Sequence, residues 1–93
     1  MNPRMYRVEV SSAADRDLGK LKGRMQKQDF ERLREAVRGL AEEPRPHGVR
    51  RIKGADRAYR IRLGDFRIVY EVHDADHLVV LLQISRRTEA TYR

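Results

Sequence analysis

Three arginines, Arg60, Arg62 and Arg67, are the residues whose type and spacing most directly suggest chemistry. Tyr59, Ile61 and Leu63 alternate with Arg60 and Arg62, and Phe66, Ile68, Tyr70 and Val72 alternate with Arg67, Val69 and Glu71. A period of two is the mark of a strand with one buried face. Between the two runs stands Gly64-Asp65, a pair suited to a two-residue type II′ hairpin turn. A turn there sets the register: Leu63 faces Phe66, Arg62 faces Arg67, Ile61 faces Ile68 and Arg60 faces Val69. All three arginines then share one face of the sheet. Like charges directly opposite each other weaken a strand pair, and a bridging anion removes that penalty. Guanidiniums on adjacent strands make a rigid, multidentate cradle for phosphate. The plainer alternative is a set of solvated arginines splayed into water.

The surrounding charge extends the pattern. Arg45, Arg50, Arg51, Lys53, Arg57, Arg60 and Arg62 are opposed over their stretch by one acid, Asp56, and the tail adds Arg86, Arg87 and Arg93 against Glu89. The 93 residues carry a formal charge of +7, which points to an anionic partner, nucleic acid being the commonest. Arg50, Arg51, Lys53, Arg57 and Arg87 are the candidate substrate-binding residues around the cradle. Cysteine is absent, which excludes disulfides and thiolate metal sites and fits a reducing cytosol. His47, His73 and His77 lack the spacing of a helical metal pair and read as loop residues. No metal or cofactor is expected. No apolar run is long enough to span a membrane, and Arg4, Arg7 and Glu9 interrupt any signal-peptide core.

The elements that must hold these residues follow from periodicity. Met5 to Val10 reads as a short first strand. Ser11 and Ser12 offer an N-cap to a helix with Ala14, Leu18, Leu21 and Met25 at helical spacing and Gly23 as its stop. Phe30, Leu33, Val37 and Leu40 form the apolar stripe of a second helix, ended by Pro44 and Pro46. After the arginine hairpin, His73 to His77 reads as a polar turn. Leu78 to Ile84 is a continuous apolar run, as in a central strand covered on both faces. The expected fold is one α+β domain over residues 1–93: a strand, a helical hairpin, then a three-stranded antiparallel meander with the helices on one face.

The stretch Tyr59-Arg60-Ile61-Arg62-Leu63-Gly64-Asp65-Phe66-Arg67-Ile68-Val69-Tyr70-Glu71-Val72 resembles the central hairpin of the RelE/ParE toxin superfamily. Ile84-Ser85-Arg86-Arg87-Thr88-Glu89-Ala90-Thr91-Tyr92 resembles the tail of its RelE branch. The resemblance implies a toxin of a type II toxin–antitoxin system. Such a toxin cleaves messenger RNA, typically on the ribosome, by metal-independent attack of a 2′-hydroxyl on the adjacent phosphate, and a cognate antitoxin silences it. It maps catalytic roles onto Arg60, Arg62, Arg67, Arg86 (or Arg87) and Tyr92. Two features depart from relatives: arginine replaces lysine at 60 and 62, and Ser85 stands where many carry histidine. Arginine keeps its proton at working pH, so proton transfer falls to a carboxylate such as Glu71, to Tyr92, or to no residue, the reaction then running on electrostatics and positioning. Two alternatives stand beside this reading: a gyrase poison of the ParE branch, and a nucleic-acid-binding module without catalysis.

Overall fold

The computed structural model describes residues 5–86. Strand β1 (Arg7–Val10) leads into helices α1 (Ser12–Lys22) and α2 (Lys27–Gly39). Strands β2 (Arg50–Arg51), β3 (Ala58–Leu63), β4 (Phe66–His73) and β5 (Leu78–Arg86) follow, with a 3-10 turn at Asp74–Asp76. The strands form one five-stranded sheet in the order β1-β5-β4-β3-β2. The expected α+β fold and antiparallel meander are therefore present.

Helix α1 starts where the serines indicate, the Ala14 N–H donating to Ser11 Oγ at 3.1 Å. Gly23 is its C-cap. The apolar stripes of the two helices turn inward: Ala14, Leu21, Leu33 and Leu40 join Phe66, Ile68, Tyr70, Val72, Val79, Leu81 and Ile84 in one core. Strand β4 shows why its sequence alternates, since Phe66, Ile68, Tyr70 and Val72 are buried and the residues between them are not.

Four features depart from the sequence reading. First, β1 pairs with β5 in parallel, Arg7 with Leu78 through Val10 with Leu81, so the sheet is mixed. Helices that carry the chain back across the sheet permit this, as in any crossover between parallel strands. Second, Arg50 and Arg51 form an extra edge strand too short to show a period. Third, α2 ends at Gly39, before either proline. Tight i→i−3 bonds close its last turn, and Ala41 O accepts the Tyr6 N–H at 2.7 Å. Fourth, the apolar run of β5 is buried on one face only. Val79, Leu81 and Ile84 face the core, while Leu78, Val80 and Leu82 are half-buried on the other side. A bulge explains the broken alternation: Val69 pairs with Gln83 and Tyr70 with Leu81, leaving Leu82 over.

A polar clamp ties the loop after α2 to the sheet. Tyr70 Oη donates to Pro44 O at 2.7 Å. Arg45 donates to Tyr59 Oη at 3.1 Å and to Asp74 at 2.6 Å, and Tyr6 Oη donates to the other Asp74 oxygen at 2.6 Å. The clamp delivers the chain to β2 and so sets Arg50 beside β3. The Arg45 guanidinium, and then the Tyr6 hydroxyl, hold the Asp74 carboxyl below the usual carboxylate range. Burial pushes the Tyr70 phenol up to about 12.

Candidate nucleic-acid interface

The hairpin register is the one the turn dictates: Leu63 with Phe66, Arg62 with Arg67, Ile61 with Ile68, Arg60 with Val69. Gly64 has φ +59, and Asp65 is not among the positive-φ residues, as the type II′ turn requires. Because β2 pairs Arg50 with Arg60, a fourth arginine joins the same face. Across that face one rung reads Arg50, Arg60, Val69, Gln83 and the next reads Arg62, Arg67, Ser85. The helices cover the opposite face, so this one is open.

Arg50, Arg60 and Arg62, with Gly48, line a hollow of about 260 Å³. Among the described residues, no carboxylate lies within ion-pair distance of Arg50, Arg60 or Arg67. The Arg67 Nε is closed off from solvent and has no acceptor among the described residues. A buried donor without an acceptor is costly and uncommon in folded proteins. An anionic oxygen on this face would satisfy it. A larger hollow, about 1090 Å³, lies between α2 and the hairpin tip, lined by Lys27, Glu31, Glu35 and Leu63 among others. It is shallow and of mixed charge, and it carries none of the clustered arginines.

The other candidates are placed differently. Arg86 pairs opposite Phe66 and lies over its ring at 5.4 Å, so strand alternation sets it on the helix side at the sheet's end, apart from Arg60, Arg62 and Arg67. Ser85, not Arg86, shares the arginine face. Arg51 pairs opposite Tyr59, away from that face, and donates to Asp56 O at 3.2 Å. Lys53 and Arg57 are exposed in the connection between β2 and β3. Arg87 and Tyr92 lie outside the described residues.

The histidine reading needs one correction. His47 is an exposed loop residue and His77 follows the 3-10 turn, but His73 is the last residue of β4. Its Nε2 is 3.0 Å from Glu71 Oε1. Residues two apart on a strand share a face, and that spacing was the signal available in the sequence. A second residue was also missed. Asp17 on α1 accepts the Ile84 N–H at 2.9 Å, just past the bulge, and fixes the segment of β5 that carries Ser85 and Arg86.

The family model for the ParE toxin of type II toxin–antitoxin systems matches residues 8–91. The chain belongs to the RelE/ParE toxin superfamily. A Methanocaldococcus jannaschii protein that carries the name toxin RelE1 is 31% identical over 91 residues, 95% of this chain and 96% of that one. Among solved structures, the toxin is similar to an archaeal RelE–RelB complex from Pyrococcus horikoshii. That match has a TM-score of 0.75 and 28% identity and covers 89% of this chain and 96% of the other. It is also similar to the RelBE2 toxin–antitoxin complex of Mycobacterium tuberculosis, with TM-score 0.73, 26% identity, and 89% and 99% coverage. Among the described residues of this toxin, no helix is long and apolar enough to cross a membrane.

Proposed function

We propose that this toxin is an endoribonuclease that cleaves messenger RNA, on the ribosome, through attack of a 2′-hydroxyl on the adjacent phosphate. The observation that carries the reading is the open arginine face, where Arg50, Arg60, Arg62 and Arg67 stand on three neighbouring strands and the Arg67 Nε has no acceptor among the described residues. Attack by the 2′-oxygen builds negative charge on a five-coordinate phosphorus. Guanidiniums already in place stabilise that charge as it forms, without reorganisation. The attack must also run in line with the departing 5′-oxygen, a geometry that free RNA seldom holds and a ribosome-bound strand can be given. The tail residues Arg87 and Tyr92 are proposed to complete the site, Arg87 binding backbone beyond the cleaved bond and Tyr92 stacking on an exposed base. Arg86 lies on the helix side at the end of β5, outside the cradle, and is proposed to meet only backbone that runs past the sheet's end.

The partners proposed are messenger RNA, the ribosome and, in the cytoplasm, a cognate antitoxin of the RelB kind. The similar Pyrococcus and Mycobacterium structures are such toxin–antitoxin complexes. The test is single-turnover cleavage of translated message, with the new 5′ ends mapped. Wild type should cut, and Arg67→Ala should lose ~10²–10³ in rate while binding antitoxin normally. An Arg67→Ala protein that folds and cuts at the wild-type rate would refute the cradle. A second reading, inhibition of DNA gyrase, is favoured by one observation, that the matching family model is the ParE one. A supercoiling assay separates the two, since a gyrase poison blocks supercoiling and leaves message intact.

A further inference from the structure

We infer that Glu71 is the general base of the cleavage reaction and that His73 positions it. The inference rests on the ribonuclease reading and supplies what the arginines cannot. A guanidinium stays protonated, so the open face needs another group to take the 2′-hydroxyl proton.

The sheet places Glu71 for this. Arg67, Val69, Glu71 and His73 alternate with the buried residues of β4 and so stand on the arginine face. Glu71 pairs opposite Ala58 on β3 and Val80 on β5, one rung from the Arg60–Val69 pair. Diagonal neighbours of this kind have side chains roughly 7–8 Å apart at their bases, within reach of one nucleotide. A phosphate held in the hollow of Arg50, Arg60 and Arg62 thus brings its adjoining ribose over the rung that carries Glu71.

The carboxylate is oriented as well as near. His73 Nε2 lies 3.0 Å from Glu71 Oε1. With the ring proton on Nε2, His73 donates to that oxygen and leaves Oε2 to accept. The two side chains are 26% and 38% exposed, His73 the more covered, so the pair is sheltered and still reachable. The charged groups around it are few. Arg60 is the diagonal neighbour on β3. On β5 the facing residues are Leu78 and Val80. On β1, Arg7 and Glu9 occupy the corresponding rungs and pair with each other at 3.1 Å.

The step balances without metal or redox partner. Glu71 Oε2 takes the proton from the 2′-oxygen, whose electron pair forms the new bond to phosphorus. The bond from phosphorus to the 5′-oxygen breaks, its pair leaves with that oxygen, and water protonates it. The Glu71 carboxyl then returns its proton to the resulting hydroxide. The products are a 2′,3′-cyclic phosphate and a 5′-hydroxyl.

The experiment is single-turnover cleavage of translated message across pH, with folding checked by thermal melting and antitoxin binding. Wild type should lose rate toward acid as the base protonates. Glu71→Gln should fall by ~10²–10⁴ and lose that acid limb. Glu71→Asp, which keeps a carboxylate, should cut more slowly than wild type and retain the limb. His73→Ala should cut more slowly, and His73→Gln, which keeps an N–H donor, should recover much of the loss. If wild type cuts and Glu71→Gln follows it in rate and pH profile, Glu71 is not the base, and the ribonuclease reading stands. A folded wild type that leaves message uncut overturns both.

Discussion

Opposite Arg62 on the hairpin stands Arg67, and its Nε sets the proposed function against stability. That Nε is buried without an acceptor among the described residues. Replacing Arg67 removes the penalty. Arg67→Ala should therefore raise thermal stability, by about 1 kcal/mol, while it abolishes the proposed cleavage. A variant that melts below wild type would mean that Arg67 is held by contacts that stabilise it. The clamp residues act on stability as well as on the placement of Arg50, and pH reads their stability. The folded-state pKa of Asp74 is lowered, chiefly by Arg45. Its contribution is present above the ordinary carboxylate range and fades as pH falls through the lower folded value. Tyr70 is shifted the other way, to about 12, by burial. Stability should thus decline as pH rises from ~10 toward that value. Melting Asp74→Asn and Tyr70→Phe across pH checks both ends. Tyr70→Phe should flatten only the alkaline limb. Asp74→Asn should flatten the acid limb and also reduce the alkaline one, because Asp74 raises the Tyr6 phenol as well.

At the scale of elements, two short devices hold the arginine face in shape. The hairpin turn fixes which arginines meet, and Gly64 holds φ +59 there. Nothing lies within 4 Å of where a Cβ would sit. Gly64→Ala should therefore cost only the backbone term, roughly 1 kcal/mol, seen as a lower melting temperature. The bulge on β5 is fixed by Asp17 through the Ile84 N–H. Asp17→Ala leaves that half-buried donor unpaired and should destabilise by ~1–3 kcal/mol, while Asp17→Asn, which keeps an oxygen acceptor, should cost less. These devices also mark what the sequence revealed. The hairpin was legible because turn chemistry and a period of two agree, which located Arg60, Arg62 and Arg67 on one face. The Ser11 cap and the stripes of both helices were legible for similar local reasons. The direction of β1, the pairing of Arg50 with Arg60 and the Asp17 bond were not, since each joins segments far apart in the chain. Arg86 took its catalytic role from the family resemblance alone; its place over Phe66, on the helix side, follows from strand pairing that the sequence did not display. His73 was taken for a turn residue because the turn begins one residue after it.

Across the whole molecule, the charge of +7 on 93 residues is concentrated where the sheet is open. An antitoxin segment that covers this face should be acidic and amphipathic, matching the arginines on one side and Val69, Val80 and Leu82 on the other. Its association rate should fall as salt rises, because steering by exposed charge is screened beyond a Debye length of ~8 Å at physiological ionic strength. An on-rate indifferent to salt, measured by stopped flow, would place the partner on the helical side. The parallel pairing of β1 with β5 has a temporal consequence. Val10 meets Leu81 across 71 residues of chain, and Tyr70, at the centre of the core, packs beside that seam. At ~5–20 residues per second of synthesis, β1 waits roughly 4–14 s for its neighbour to be made. Throughout that interval the sheet is incomplete, and the arginine hairpin has no β5 behind it. The nascent chain therefore cannot form the finished toxin until the strand that closes the sheet has emerged.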